Sequence, residues 1–212
     1  MRSDEELETH LKAGIAIYNS GEYHAAHGAW ERHWLKINKK DEDKLFLQGL
    51  IQYTAIIYHG MNRNWKGMEG LIKSSLRYLE KFPQNYQGID INGIKNYLEN
   101  IENNMQSFSQ KEIPKMTYEG ETIEISDLNI NSTYIVARVL SDEISDYEED
   151  IIVKAIEHIR ENPKDRESRK IENLIIAFAR EKSFRVNAYE QIKRRIEIQK
   201  EKFEDIEKLF DV

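Results

Sequence analysis

Apolar positions along this chain recur at intervals of three and four, and glycine and proline are too scarce to interrupt them often; that period predicts a largely helical protein. Leu7, Leu11, Ile15 and Tyr18 line one side of a first helix over residues 4–19, with Ser3 or Asp4 as its cap. The run Asn19-Ser20-Gly21 ends it, because asparagine and glycine tolerate the left-handed backbone at which helices stop. The same reasoning predicts a second helix over 22–37, a third from about Lys44 to the His59-Gly60-Met61 run, and a fourth over 65–81, ahead of Pro83. Residues 83–92 read as a loop and 93–108 as a weaker helix.

The period changes once. "MTYEGETIEI", residues 116–125, alternates around Glu119-Gly120, which predicts a short two-stranded hairpin. Beyond it three more helices are expected, near 132–161, 165–182 and 185–209, with Pro163 between the first two. The fold class is therefore all-α: a helical bundle with one short β-hairpin-like connection between two helical halves. Residues 1–110 form the helical core domain, 111–132 the connection, and 133–212 a C-terminal three-helix region.

Within the first half, "GEYHAAHGAWERHW" (21–34) concentrates polar and aromatic groups. On a helix Tyr23, His27, Trp30, Glu31 and Trp34 share a face, and so do Gln48, Gln52, Ile56 and His59 on the next. A short connection makes the two helices antiparallel, which sets Glu31 level with Gln48 and Gln52, and His27 near Gln52 and Ile56. The third helix is otherwise apolar nearly all round, as a buried central helix would be. The expectation is a buried polar ladder of His27, Glu31, Gln48, Gln52 and His59. Such groups are costly to bury unpaired, so they either satisfy one another and fix the register of the helices or surround a ligand. In the second case His27 and Glu31 would act as a base and its orienter or as metal ligands, with Tyr23, Trp30 and Trp34 as aromatic lining. Trp30 and Trp34 suit a core role better, since tryptophans one turn apart on a packed face bury large apolar area.

Other signals narrow the chemistry. His24 and His27 stand at i, i+3, but no third ligand follows at a recognised spacing and no His-Glu-x-x-His run exists, so no metal and no cofactor is implied. His10, His24, His33 and His158 read as surface or boundary histidines. No catalytic residue can be named. The absence of cysteine excludes disulfides, thiolate metal sites and a thiol nucleophile. A net charge of −7 disfavours nucleic acid as a partner, and the basic residues from Arg166 to Arg195 alternate with Glu167, Glu172, Glu181 and Glu190. The polar, acidic start is unlike a secretion signal, and "LFLQGLIQYTAIIYHG" is too short and too polar to cross a bilayer, so no membrane partner and a cytoplasmic location are expected.

Two resemblances follow from particular residues. Gly14, Gly21, Tyr23, Ala26 and Trp30 fall where a tetratricopeptide repeat places small residues and aromatics, so the first hairpin resembles one such unit; it does not recur cleanly along the chain. More specifically, His10, Gly14, Asn19, Gly21, Tyr23, Ala26, His27, Trp30, Glu31 and Trp34 form a motif continued by Leu47-Gln48-Gly49-Leu50-Ile51-Gln52, His59 and Gly67. In these positions, over about residues 10–82, the chain is similar to the bacterial and archaeal family called domain of unknown function 309, and its second half looks like the longer archaeal members. The family usually has glutamate directly after the motif histidine, where this chain has Gly28. The resemblance implies an all-helical core and no established activity. The expected function is a soluble, non-enzymatic module for protein interaction or self-association, such as a homodimer. The alternative is a small-molecule- or metal-dependent enzyme, a hydrolase for example, built on the His27/Glu31/Gln48/Gln52/His59 cluster.

Overall fold

The structure, a computed structural model, describes residues 3–109 and 112–210. The chain divides into two compact units, Met1–Ser132 and Thr133–Val212.

The first unit is built on four consecutive helices, α1 (Ser3–Asn19), α2 (Tyr23–Trp34), α3 (Glu42–Met61) and α4 (Trp65–Leu79). Each packs on the next, and α3 lies in the middle, against both α2 and α4. Its apolar circumference explains that place: Phe46, Leu47, Leu50, Tyr53, Ile56 and Ile57 are all fully buried. Side chains cap the starts of α3 and α4. The Asp41 carboxylate accepts from Asp43 N–H at the start of α3, and the Asn64 side chain from Gly67 N–H at 3.0 Å at the start of α4. Helices α1 and α2 approach closely because Gly14 offers no Cβ; one placed there would stand 2.0 Å from Nε1 of Trp30. That indole is fully buried and donates its N–H to the Leu11 carbonyl at 3.4 Å.

After α4 come two short strands, β1 (Asn85–Tyr86) and β2 (Ile89–Asp90), then α5 (Ile91–Asn103), capped by Asp90, and a second pair, β3 (Thr117–Tyr118) and β4 (Glu121–Thr122). They make one antiparallel sheet in the order β1-β2-β3-β4, with Ile89 opposite Tyr118 at its centre. The hairpin around Glu119-Gly120 is present as expected. Residues 83–92, read from sequence as a loop, instead hold a second hairpin. Both turns use two residues of positive φ, Glu119 and Gly120 at 52° and 86°, Gln87 and Gly88 at 51° and 78°, the twist that suits a two-residue hairpin loop.

Asn19 ties this sheet region to α1. Its side-chain amide donates to the carbonyls of Met116 and Ile123, both at 2.9 Å, while its Oδ1 accepts from Met116 N–H at 2.9 Å. The Asn19 carbonyl accepts from Lys115 Nζ. This asparagine of the motif therefore has a structural task.

The second unit comprises the rest of α6 (Ile130–Glu143), then α7 (Glu149–Glu161), α8 (Arg166–Arg180) and α9 (Arg185–Phe210). The single helix expected over 132–161 is thus two. The chain breaks between them so that Tyr147 can turn inward against Phe178 and Tyr189, with ring centroids 5.1 and 4.8 Å away, while Glu148 N–H donates to the Tyr189 hydroxyl at 2.9 Å. Ile171, Ile175 and Phe178 of α8 and Ala188, Tyr189 and Ile192 of α9 are buried in this unit. The charges outside them pair: Glu167 bonds Lys170 at 3.0 Å and also bonds Arg195, and Lys193 bonds Glu148 at 2.8 Å. No helix among the described residues is long and apolar enough to cross a membrane.

Candidate functional site

The antiparallel pair α2–α3 carries the residues singled out by sequence. His27 and Glu31 are one turn apart on α2 and pair with each other at 3.8 Å, with side chains 30% and 48% exposed. Gln48 and Gln52 on α3 are half-buried, and Oε1 of Gln52 is buried with no hydrogen-bond partner. His59, half-buried in the last turn of α3, accepts at Nδ1 from the Asn64 amide at 3.0 Å, which places its proton on Nε2 in the neutral form. Among the described residues no hydrogen bond joins His27, Glu31 or His59 to either glutamine.

The aromatic candidates divide. Trp30 is core, whereas Trp34 is half-buried, with the Lys44 ammonium 4.1 Å from its ring centroid. Lys44 also donates to the carbonyls of Trp34 and Ile37, at 2.7 and 3.0 Å, and so closes the α2–α3 connection. Tyr23 is half-buried and meets the edge of Tyr18, whose hydroxyl lies 2.8 Å from that of Tyr53. Burial raises the pKa of all three phenols, so they remain neutral hydrogen-bonding groups.

A second feature lies at the far end of α3. Gly60, Met61, Arg63, Trp65, Gln106 and Phe108 line an open groove of about 540 Å³. The Phe108 ring rests on Gly60, where a Cβ would be 2.9 Å away. Beside the groove Tyr58 and Met61 are 46% and 43% exposed, one helical turn apart, on a helix whose other large apolar side chains are mostly buried. The Tyr58 ring meets His24 edge-on at 5.5 Å.

The third feature contradicts the sequence reading. His10 and His33, expected at the surface, are buried, with 6% and 5% exposure, and their rings stack at 4.9 Å. His10 Nδ1 donates to the Ala29 carbonyl at 2.9 Å. His33 Nδ1 lies 3.9 Å from the Glu6 carboxylate and has no hydrogen-bond partner. Burial pushes His10 down to about 4 and also lowers His33, so both rings are neutral near pH 7, while a hydrogen bond from Lys36 holds the Glu6 carboxyl below its ordinary value. The spacing held a clue: His10 stands three residues after Leu7, and His33 three after Trp30, so each shares a face with a core residue.

Comparison with known proteins bears on the first unit. An uncharacterized protein of Aquifex aeolicus (strain VF5) is 28% identical over 91 residues, which cover 43% of this chain and 27% of that protein. The matched stretch thus spans about a quarter of the relative's length. Residues 11–71, from α1 into α4, match the family model described as domain of unknown function (DUF309), so the segment that supplies most of the four-helix core carries the family match that its motif residues led us to expect.

Proposed function

We propose that this protein is a self-associating helical module, in which two copies meet across the face formed by Tyr58, Met61 and the adjoining groove. The observation that carries this reading is a knob on α3 with a groove beside it at the end of the same helix. Tyr58 projects from α3, and one turn on begins a groove walled by Met61, Trp65 and Phe108. A two-fold dimer needs one patch that is complementary to itself, and Tyr58 of each copy entering the groove of the other meets that requirement. The residue types agree, since tyrosine, tryptophan, methionine and arginine are the side chains enriched at the cores of protein interfaces. The exposed patch is only a few side chains wide, which fits a reversible dimer better than a permanent one.

The absence of native cysteine makes a direct test simple. Met61→Cys, placed beside the two-fold axis, should form an intermolecular disulfide on mild oxidation at micromolar concentration. Gly70→Cys, at an exposed position on α4 away from the groove, should not. Equal cross-linking of the two variants, or none by Met61→Cys, would refute the proposed face.

One observation favours a second reading, a small-molecule site at His27, Glu31, Gln48, Gln52 and His59. The buried Oε1 of Gln52 accepts no hydrogen bond from the described residues and would be an acceptor for a ligand N–H or O–H. Native mass spectrometry of the purified protein beside a denatured control tests it. The reading requires a mass excess that denaturation removes and that Gln52→Leu prevents.

A further inference from the structure

Glu6, His10 and His33 each offer a ligand atom, and these atoms lie within 4.8 Å of one another. We propose that the three side chains form a binding site for a divalent cation of the zinc type that pins α1 to α2. Glu6 and His10 lie one turn apart on α1, and His33 reaches them from the last turn of α2.

Four details support the site. First, zinc bonds of about 2.0–2.1 Å in a tetrahedron set donors roughly 3.3 Å apart. The 3.9 Å between His33 Nδ1 and Glu6 Oε1 is already near that value, and the widest gap closes with side-chain shifts shared among three residues. Second, His10 is oriented as metal-bound histidines are: Nδ1–H is held by a backbone carbonyl, here that of Ala29, which leaves the Nε2 lone pair for an ion. Third, His33 Nδ1 is buried and has no hydrogen-bond partner, although native proteins seldom bury such an atom unsatisfied. Fourth, two neutral imidazoles and one carboxylate match the preference of zinc over magnesium or calcium, which favour oxygen donors. Three protein ligands leave a fourth position for water, on the side of Glu6, whose side chain is 37% exposed.

The site has a built-in competitor. Lys36 Nζ lies 2.9 Å from Glu6 Oε1, the oxygen that also faces His33. The Lys36 side chain is 61% exposed, so it can leave for water when a cation arrives, and its positive charge weakens binding until it does.

The test uses the full chain, stripped with a chelator and titrated with zinc or with cobalt(II), whose visible absorption reports a four-coordinate site. One equivalent should bind, and zinc at a hundredfold excess over its Kd should raise the melting temperature by roughly 5–10 °C. His33→Gln should lose at least about tenfold in affinity, as removal of one ligand requires. Lys36→Met, a surface change that spares the core, should bind tighter than the parent. His24→Gln, which alters the separate His24/His27 pair on α2, should leave zinc affinity unchanged. Absence of saturable binding overturns the proposal. So does zinc affinity that follows His24→Gln rather than His33→Gln, or that is unaltered by Lys36→Met.

Discussion

Gly14→Ala isolates the close contact on which the first helical hairpin depends. The new methyl carbon would stand 2.0, 2.4 and 2.6 Å from Nε1, Cε2 and Cδ1 of Trp30. Heavy atoms rest at about 3.5–4.0 Å, so the ring would have to move by more than ~1 Å. Trp30 has no exposed edge through which to move. Overpacking of this kind costs about 1–3 kcal/mol. Displacement of the indole also endangers its hydrogen bond to Leu11, worth ~1 kcal/mol. Against this stands the gain of about 1 kcal/mol from replacing glycine by alanine inside a helix. The net is a loss of about 1–3 kcal/mol. All three tryptophans, 30, 34 and 65, belong to the first unit, so urea unfolding followed by their fluorescence reports that unit. With a urea slope of about 1–3 kcal/mol/M, the midpoint should fall by roughly 1 M. Gly70→Ala is the matched control, since an added Cβ there meets nothing within 4 Å; it should stabilise by up to ~1 kcal/mol. A Gly14→Ala protein as stable as the parent, or more stable, would refute the reasoning.

Three further outcomes follow from the same contacts. Metal-free protein should lose stability as pH falls from about 6.5 toward 4, because the folded state holds His10 at about 4 and His33 and Glu6 below their ordinary values, so the unfolded chain binds more protons in that range. The His10 contribution alone amounts to roughly 2 kcal/mol between pH 7.5 and 5, and fluorescence-detected unfolding at those two pH values with chelator present should show the decline; a flat profile contradicts it. Asn19→Ala removes three hydrogen bonds to residues 116–123, and should cost roughly 2–4 kcal/mol and hasten amide exchange at Met116 and in the adjoining strands before that of α3. Tyr18→Phe leaves the buried Tyr53 hydroxyl without its partner and should cost about 1–3 kcal/mol, whereas adding Tyr53→Phe should restore part of the loss, a coupling that a double-mutant cycle measures.

Much of this fold is legible in the sequence, and the exceptions have local causes. The four-helix core follows from apolar spacing and from the breaks at Gly21, Asn38–Asp41 and Asn62–Asn64. The β3–β4 turn is readable because Glu119-Gly120 sits between alternating residues. Its counterpart is not readable although Tyr86-Gln87-Gly88 repeats the pattern Tyr118-Glu119-Gly120; its two strands include polar Asn85 and Asp90, so no alternation marks them, and pairing with β3 comes from far along the chain. The break between α6 and α7 depends on where Tyr147 finds Phe178 and Tyr189, a contact that no local pattern encodes.

The candidate sites show the same division. Helical spacing puts His27 and Glu31 within reach of each other, but spacing alone says nothing about solvent, and the two side chains prove 30% and 48% exposed rather than buried. The buried histidines were visible as neighbours of Leu7 and Trp30 in the helical period. What the period could not supply was that α1 and α2 bring His10 and His33 face to face, with Glu6 beside them. The groove at Met61 and Trp65 was out of reach for a further reason: Phe108, which forms one wall, is more than forty positions away in sequence and reaches Gly60 only through the fold.

Sedimentation equilibrium across low to high micromolar concentration tests the central claim most directly. The account predicts a reversible monomer–dimer equilibrium for the parent chain and a monomer for Tyr58→Ser, whose change lies at an exposed position and spares the core. A parent chain that stays monomeric throughout, or a dimer that Tyr58→Ser leaves intact, would contradict it.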